Sequence, residues 1–225
     1  MKKGIVILVL LMFAATGVFA QAFSMSAGGG GLFDWSFSNG AEAKIGSDKY
    51  YTGWRDMGFG AFLFFDATYV EVELSFAYAL LTSVMINPSD TNTEKGGNMM
   101  KAGASILGKY PFDFGFITVF PLLGVSYHAV IIAKDQDGDK INDYSMLDNI
   151  KNLSQFGLLG GVGFDIDLTR SLFLRAEALY QLRLPSKFMS DAGEVYNEIA
   201  KLSGGTGYAT LGMGPRVKVG VGYRF

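Results

Sequence analysis

Val70-Glu71-Val72-Glu73-Leu74-Ser75-Phe76-Ala77-Tyr78-Ala79-Leu80 alternates without interruption. Val70, Val72, Leu74, Phe76, Tyr78 and Leu80 share one side, and Glu71, Glu73, Ser75, Ala77 and Ala79 share the other. Only extended chain sorts residues with a period of two, because a helix would scatter both sets around its axis. Residues 100–110, 172–184 and 217–225 repeat the pattern, with Lys101, Lys109, Arg175, Glu177, Arg183, Lys218 and Arg224 opposite the apolar positions. Residues 22–36, 53–66, 115–133 and 153–168 have strand length with less regular alternation, which brings the total to eight. Short links near Asp66-Ala67-Thr68-Tyr69, Pro111-Phe112-Asp113-Phe114 and Thr169-Arg170-Ser171 alternate with long ones at 37–52, 81–97, 134–152 and 185–205. This spacing predicts an all-β chain: an eight-stranded antiparallel up-and-down barrel with tight turns at one end, long loops at the other, and both termini at the turn end.

Composition narrows the class. The 225 residues include 30 Gly, 19 Phe, 11 Tyr and no Cys, and 49% are apolar. That content excludes a disordered or collagen-like chain. The absence of Cys removes disulfide frameworks, thiolate zinc sites and Cys nucleophiles. A net charge of -2 gives nucleic acid no electrostatic footing. Lys2 and Lys3 precede an apolar run that ends at Val18-Phe19-Ala20. Residues 1–20 are therefore expected to be a cleaved export signal, and residues 21–225 the barrel domain.

The faces tell a membrane barrel from a lipocalin-like soluble one. Here the apolar face is the more continuous, and charges and glycines gather on the other. In a soluble barrel the charges would face outward. By parity Trp35, Tyr78, Tyr127 and Tyr180 lie outward at the loop end, and Phe65, Tyr110, Phe164, Tyr223 and Phe225 lie outward at the turn end. Aromatic belts at two lipid interfaces are arranged in this way. The barrel is thus expected to be transmembrane.

The strand-turn-strand from Phe164 to Arg175, the glycines at Gly28, Gly29, Gly30 and Gly31, and the ending Gly222-Tyr223-Arg224-Phe225 carry a resemblance. The chain resembles the small outer-membrane barrels of the OmpA/OmpX/OmpW-like group. That resemblance implies a location in the cell outer membrane, contact with outer-membrane lipid, and recognition of the terminal Phe225 by the barrel assembly machinery. With no segment after Phe225 for a peptidoglycan-binding domain, a barrel alone is expected.

The inward face predicts a lumen charge network of Glu71, Glu73, Asp165 and Glu177 with Lys101, Lys109, Arg175, Arg183, Lys218 and Arg224; Asp167 and Arg216 share the parity. Buried charges need partners, so a salt-bridged plug is expected rather than an open bore. Asp165 is expected to pair with Arg175, and Glu71 to lie by Lys109. Gly28, Gly30, Gly58, Gly60, Gly161 and Gly163 make room for Phe62, Phe64 and the long cations. Pro121 and Pro215 each predict a bulge.

Asp135, Asp137, Asp139 and Asp143 stand at positions 1, 3, 5 and 9 of an acidic loop, the spacing of a calcium loop. Lys140 occupies the usual Gly position and Met146 the usual Glu position. These departures favour a solvated outer loop whose acids meet divalent ions on lipopolysaccharide, and no other cofactor is expected. Residues 190–203 predict a helix with a capping box at Asp191 and Glu194. Its Val195, Ile199 and Leu202 face is expected to rest on the rim. His128 is two residues from Ser126 and shares its parity, but Ser126-Tyr127-His128 is not the His-x-Ser-Asn order of lipid A deacylases, and no enzymatic activity is expected. The expected role is envelope structure or surface contact, with an extracellular ligand met through the loops. The alternatives are a narrow path for small hydrophobic molecules lined by Phe120, Leu122 and Leu159, and a lipid-modifying enzyme at the outer rim.

Overall fold

The alternation at 70–80 is the lower half of a strand that runs on to residue 87. The computed structural model describes residues 24–87, 90–134, 137–138 and 154–225. Its strands are β1 (Met25–Ile45), β2 (Asp48–Ala67), β3 (Val70–Asn87), β4 (Asp90–Lys109), β5 (Phe112–Asp113), β6 (Ile117–Lys134), β7 (Gln155–Asp167), β8 (Leu172–Arg183), β9 (Thr206–Ala209) and β10 (Gly212–Arg224), with one helix, α1 (Lys187–Lys201). The order β10-β8-β7-β6-β4-β3-β2-β1 closes on itself through a β1–β10 ladder. This is the expected antiparallel eight-stranded up-and-down barrel. Closure leaves the ring without a free edge. The two short strands are additions: β5 folds onto β6, and β9 pairs with β1 above the end of β10. Residues 1–20, the expected export signal, lie outside the described residues.

Parity decides what each strand hides. Phe62, Phe64, Phe120, Phe173 and Leu107 are buried with the inward charges, whereas Leu63, Leu74, Ile106, Leu123 and Val219 are exposed on the outer wall. All nine belt candidates, Trp35, Tyr78, Tyr127, Tyr180, Phe65, Tyr110, Phe164, Tyr223 and Phe225, sit exposed on that wall.

Strand length departs from expectation. Residues 37–52 and 81–97 were expected to be loops, yet β1 to β4 continue through them as two long hairpins, the first turning at Gly46 with φ 62°. The apolar residues of these extensions are small, as Ala41 and Ala43 are, or fall on both parities, as in Val84-Met85-Ile86, so no regular alternation marks them. The bulges also lie elsewhere than expected. They fall at Ser36/Asn39, Leu81/Thr82 and Met100/Lys101, while the ladders pass Pro121 and Pro215 without a register shift. Pro121 is accommodated because β4 has ended at the Lys109–Leu122 pair and β5 meets β6 only at Val119 and Thr118, so that edge asks for no donor there.

Some inward glycines are set by close approach. A Cβ on Gly60 would land on the Phe76 carbonyl oxygen and 2.6 Å from the Ala77 Cα, which are backbone atoms that cannot swing away. Gly60→Ala is therefore expected to lower stability by about 1–3 kcal/mol, the usual cost of overpacking. Gly31→Ala, whose nearest neighbour would be 3.9 Å away, should be tolerated. Urea unfolding of both variants in detergent micelles checks the contrast.

Candidate functional site: an ion-paired lumen under an uneven rim

Arg175 is the hub of the lower lumen. The β7–β8 register sets Asp165 opposite Arg175, and the guanidinium donates to both oxygens of that carboxylate at 2.7 Å. Its Nη1 donates to Glu71 Oε2 at 2.6 Å and its Nη2 to Asp66 Oδ2 at 2.8 Å. Asp66 also accepts from Lys109 and from the Ser26 hydroxyl at 3.3 Å. The guanidinium carbon lies 4.3 Å from the centre of the Phe64 ring, with the Phe120 and Phe173 rings each at 5.2 Å. A cation stacked on rings and bonded at three nitrogens is well compensated for the loss of water. Below it, Arg224 donates to Asp167 at 2.6 Å.

A second storey joins this one through Glu71, and a third forms its own cluster above. Lys218 lies 2.5 Å from Glu177 and 3.5 Å from Glu71, and it also contacts Glu73. Arg216 lies 2.5 Å from Glu73, and its Nη1 donates to His128 Nε2 at 2.9 Å. Above them, Arg183 donates to Asp56 at 2.9 Å and to Asp34 at 3.1 Å. Lys101 reaches Asp56 at 2.7 Å and Asp34 at 3.5 Å. Phe120, Leu122, Leu107, Leu159 and Leu179 pack together within the same bore. A cavity of about 10 Å³ beside His128, bordered by Lys101 and Arg183, has room for about one water.

All ten lumen candidates named from the sequence are therefore ion-paired, in two clusters: Lys101 and Arg183 with Asp34 and Asp56, and the other eight together, with Arg224 at their edge. The expected neighbours Asp165 and Arg175 are bonded. Glu71 and Lys109 are not: Glu71 sits opposite Leu107, while Lys109 reaches across to Asp66. The barrel's stagger displaces the ladder by one step there. Sequence reasoning missed Asp34, Asp56 and Asp66. The first shares the parity of Gly28 and Gly30 and the second that of Gly58 and Gly60, so extending the same alternation finds both. Asp66 had been assigned to a turn. His128, which shares the inward parity of Ser126, is buried in the bore with Nε2 held as the acceptor of an Arg216 N–H. Of the acidic loop, Asp137 is exposed, while Asp135, Asp139 and Asp143 lie outside the described residues.

The rim is uneven. β7 and β8 stop at Gln155 and Arg183, whereas β1 and β2 rise well beyond the Trp35 level. After the Ser36/Asn39 bulge, Ala41 and Ala43 pair with Thr52 and Tyr50, which share the inward face of Asp56. On the other side they pair with Ala209 and Gly207 of β9. Gly193 of α1 lies against the Ala209 backbone, Asn197 Oδ1 accepts from Gly207 N at 3.2 Å, and Ala200 is fully buried. The helix thus leans on the inward face of the projecting wall, over the mouth. The expected contact face is reversed, because small residues allow the closer approach; Val195, Ile199 and Leu202 point away, with Leu202 89% exposed. The helix also starts earlier than expected, at Lys187, so Asp191 lies in its second turn and pairs with Lys187 at 2.7 Å instead of capping.

No protein-family model matches the chain, and no curated protein matches it. Among solved structures the chain is similar to Ail, the attachment invasion locus protein of Yersinia pestis, in complex with the heparin analogue sucrose octasulfate. Identity is 14%, the match covers 90% of this chain and 99% of that one, and the TM-score is 0.36.

Proposed function

We propose that this chain is an integral outer-membrane barrel, exported by residues 1–20, whose ion-paired lumen is a structural plug and whose projecting hairpins and helix make contacts outside the cell. The observation that carries this is inverted burial. Arg175, Arg183, Arg216 and Lys218 are among the most deeply buried side chains, while Leu63 is 66% and Leu123 74% exposed on the wall. Such a surface is costly in water and suited to hydrocarbon. The hairpins supply the contact surface: β1 runs through residues 36–45 beyond the belt residue Trp35, about 30 Å of extended chain at ~3.3 Å per residue. A membrane crossing itself uses only about 9–11 residues per strand. The role is envelope structure or adhesion through an extracellular ligand, with outer-membrane lipid around the wall. Tyr223 and Phe225, stacked edge to face on the outer wall, suit recognition by the barrel assembly machinery.

A path for small hydrophobic molecules is not supported, since Phe120, Leu122 and Leu159, its expected lining, are packed against one another. Nor does a catalytic role find support at His128, whose acceptor nitrogen is occupied. Protease added to intact cells tests the proposal. Cleavage is expected within the β1–β2 and β3–β4 hairpins and within residues 134–152, with residues 100–110 and 215–225 protected. Cleavage at the 168–171 turn in intact cells would reverse the orientation and refute it.

A further inference from the structure

Among the described residues, the buried charges of the bore do not balance. The upper cluster is neutral, with Asp34 and Asp56 on Lys101 and Arg183. The lower one is not. Its five buried carboxylates, Asp66, Glu71, Glu73, Asp165 and Glu177, meet four enclosed cations, Lys109, Arg175, Arg216 and Lys218. Arg224 does not make up the difference, because it is bonded to Asp167 at 2.6 Å at the more open turn end and stands 3.8 Å from Asp165. Three of the four cations have carboxylates of their own: Lys109 is on Asp66, Arg216 is on Glu73, and Arg175 holds both oxygens of Asp165. Lys218 is left between Glu177 at 2.5 Å and Glu71 at 3.5 Å, and it also touches Glu73. The side chains of Lys218, Glu71 and Glu177 are fully enclosed. Arg175 helps on one side, since it donates to Glu71 Oε2 at 2.6 Å but lies 3.9 Å from Glu177 Oε1. Neither oxygen of Glu177 accepts a hydrogen bond among the described residues, so charge alone holds it.

We infer that Glu71 and Glu177 share one bound proton at neutral pH, and that this proton supplies the positive charge the lower cluster lacks. A carboxylate enclosed without a counter-charge of its own is costly, and taking up a proton removes that cost. The O–H so formed is also a donor, which two carboxylates facing one ammonium do not have between them. Because both acids lie on the same Nζ, they hold the proton as a pair. The charges around them come from every wall of the lower bore: Asp66 on β2, Glu73 on β3, Lys109 on β4, Asp165 on β7, Arg175 on β8, and Arg216 and Lys218 on β10. β6 contributes His128, which adds no charge while it accepts from Arg216, and β1 contributes the Ser26 hydroxyl on Asp66. The plug is then a proton-linked clasp between β3 and β8. Loss of the proton sets two like charges against each other inside the barrel.

An unfolded chain has already released this proton at about pH 6, since an exposed Glu ionises near pH ~4.3. The folded barrel therefore binds more protons than the unfolded one, and its stability falls as the pH rises through release of the shared proton. Urea unfolding of the barrel in lipid vesicles at about pH 6 and about pH 9 reads this. The wild type should lose at least about tenfold in its folding constant between the two. Glu177→Gln, with Glu71→Gln as the alternative should that variant not fold, should lose less than about twofold and be no less stable than the wild type at the higher pH. Asp56→Asn, which unbalances the neutral upper cluster, should be less stable than the wild type at both. Infrared spectra of the folded wild type at neutral pH should show the carbonyl stretch of an un-ionised carboxyl that shifts in heavy water and is lost in either Gln variant. A wild type without that band overturns the inference whatever the variants do, and so does a pH dependence that the Gln variants share with the wild type. The inference needs only an enclosed bore, so neither result bears on what the hairpins contact.

Discussion

Replacing Arg175 by Met should destabilise the barrel by about 3–5 kcal/mol, the cost of removing one partner from a buried ionic group. Arg175 is 1% exposed and bonded to Asp66, Glu71 and Asp165, which come from β2, β3 and β7. Without it, three carboxylates face one another in a bore with little water. Lys109 on Asp66 and Lys218, 3.5 Å from Glu71, neutralise only part of that charge, and Asp165 keeps only Arg224 at 3.8 Å. The loss comes from the charges left behind rather than from the missing side chain. Adding Asp66→Asn and Asp165→Asn to Arg175→Met should therefore recover more than half of it. Urea midpoints in lipid vesicles measure both. If the single and triple variants are equally unstable, the guanidinium stabilises the barrel mainly by packing on Phe64 instead.

Leu74→Arg should cost about 2–4 kcal/mol in a bilayer, as expected for a charge near the hydrocarbon midplane of a barrel wall. Leu74 is 60% exposed and pairs with Leu63 and Ala104 halfway down the outer wall. In a water-soluble protein the same substitution at an exposed site would be nearly neutral. Leu202→Arg provides the contrast. That residue is also exposed, but it follows a helix beyond the rim, and its replacement should change stability by less than about 0.5 kcal/mol. Unfolding of both variants in vesicles of fixed chain length separates the two surfaces. Equal, small effects would mean that Leu74 does not meet hydrocarbon.

The strand pattern was legible wherever one face is apolar. At 70–80, 100–110, 172–184 and 217–225 parity alone sorts wall from lumen, and the ten named lumen charges are all ion-paired. What parity does not carry is register between strands. It places Glu71 and Lys109 on the same side of the wall but cannot say that the ladder slides Lys109 toward Asp66. Bulges are silent as well: the extra residue at Ser36/Asn39 reverses which residues of β1 face inward, and the change shows only in the pairing. The height of the hairpins was hidden because in segments such as Glu42-Ala43-Lys44 the buried face carries only a small residue, too weak a signal of alternation. The helix misled for a different reason. Its apolar stripe Val195, Ile199 and Leu202 looks like a contact face, but Gly193 and Ala200 let backbone meet backbone, and that closer packing prevails.

A barrel with its charges inside and, as proposed, its apolar wall against lipid needs a bilayer or a detergent micelle to fold. Refolding residues 21–225 from urea into plain buffer and, in parallel, into lipid vesicles tests this most directly, read by far-ultraviolet circular dichroism and by mobility of the unheated sample on a gel. The expected result is strand signal and a faster-migrating folded band only with vesicles, and aggregation without them. A monodisperse, folded monomer in buffer alone would contradict it.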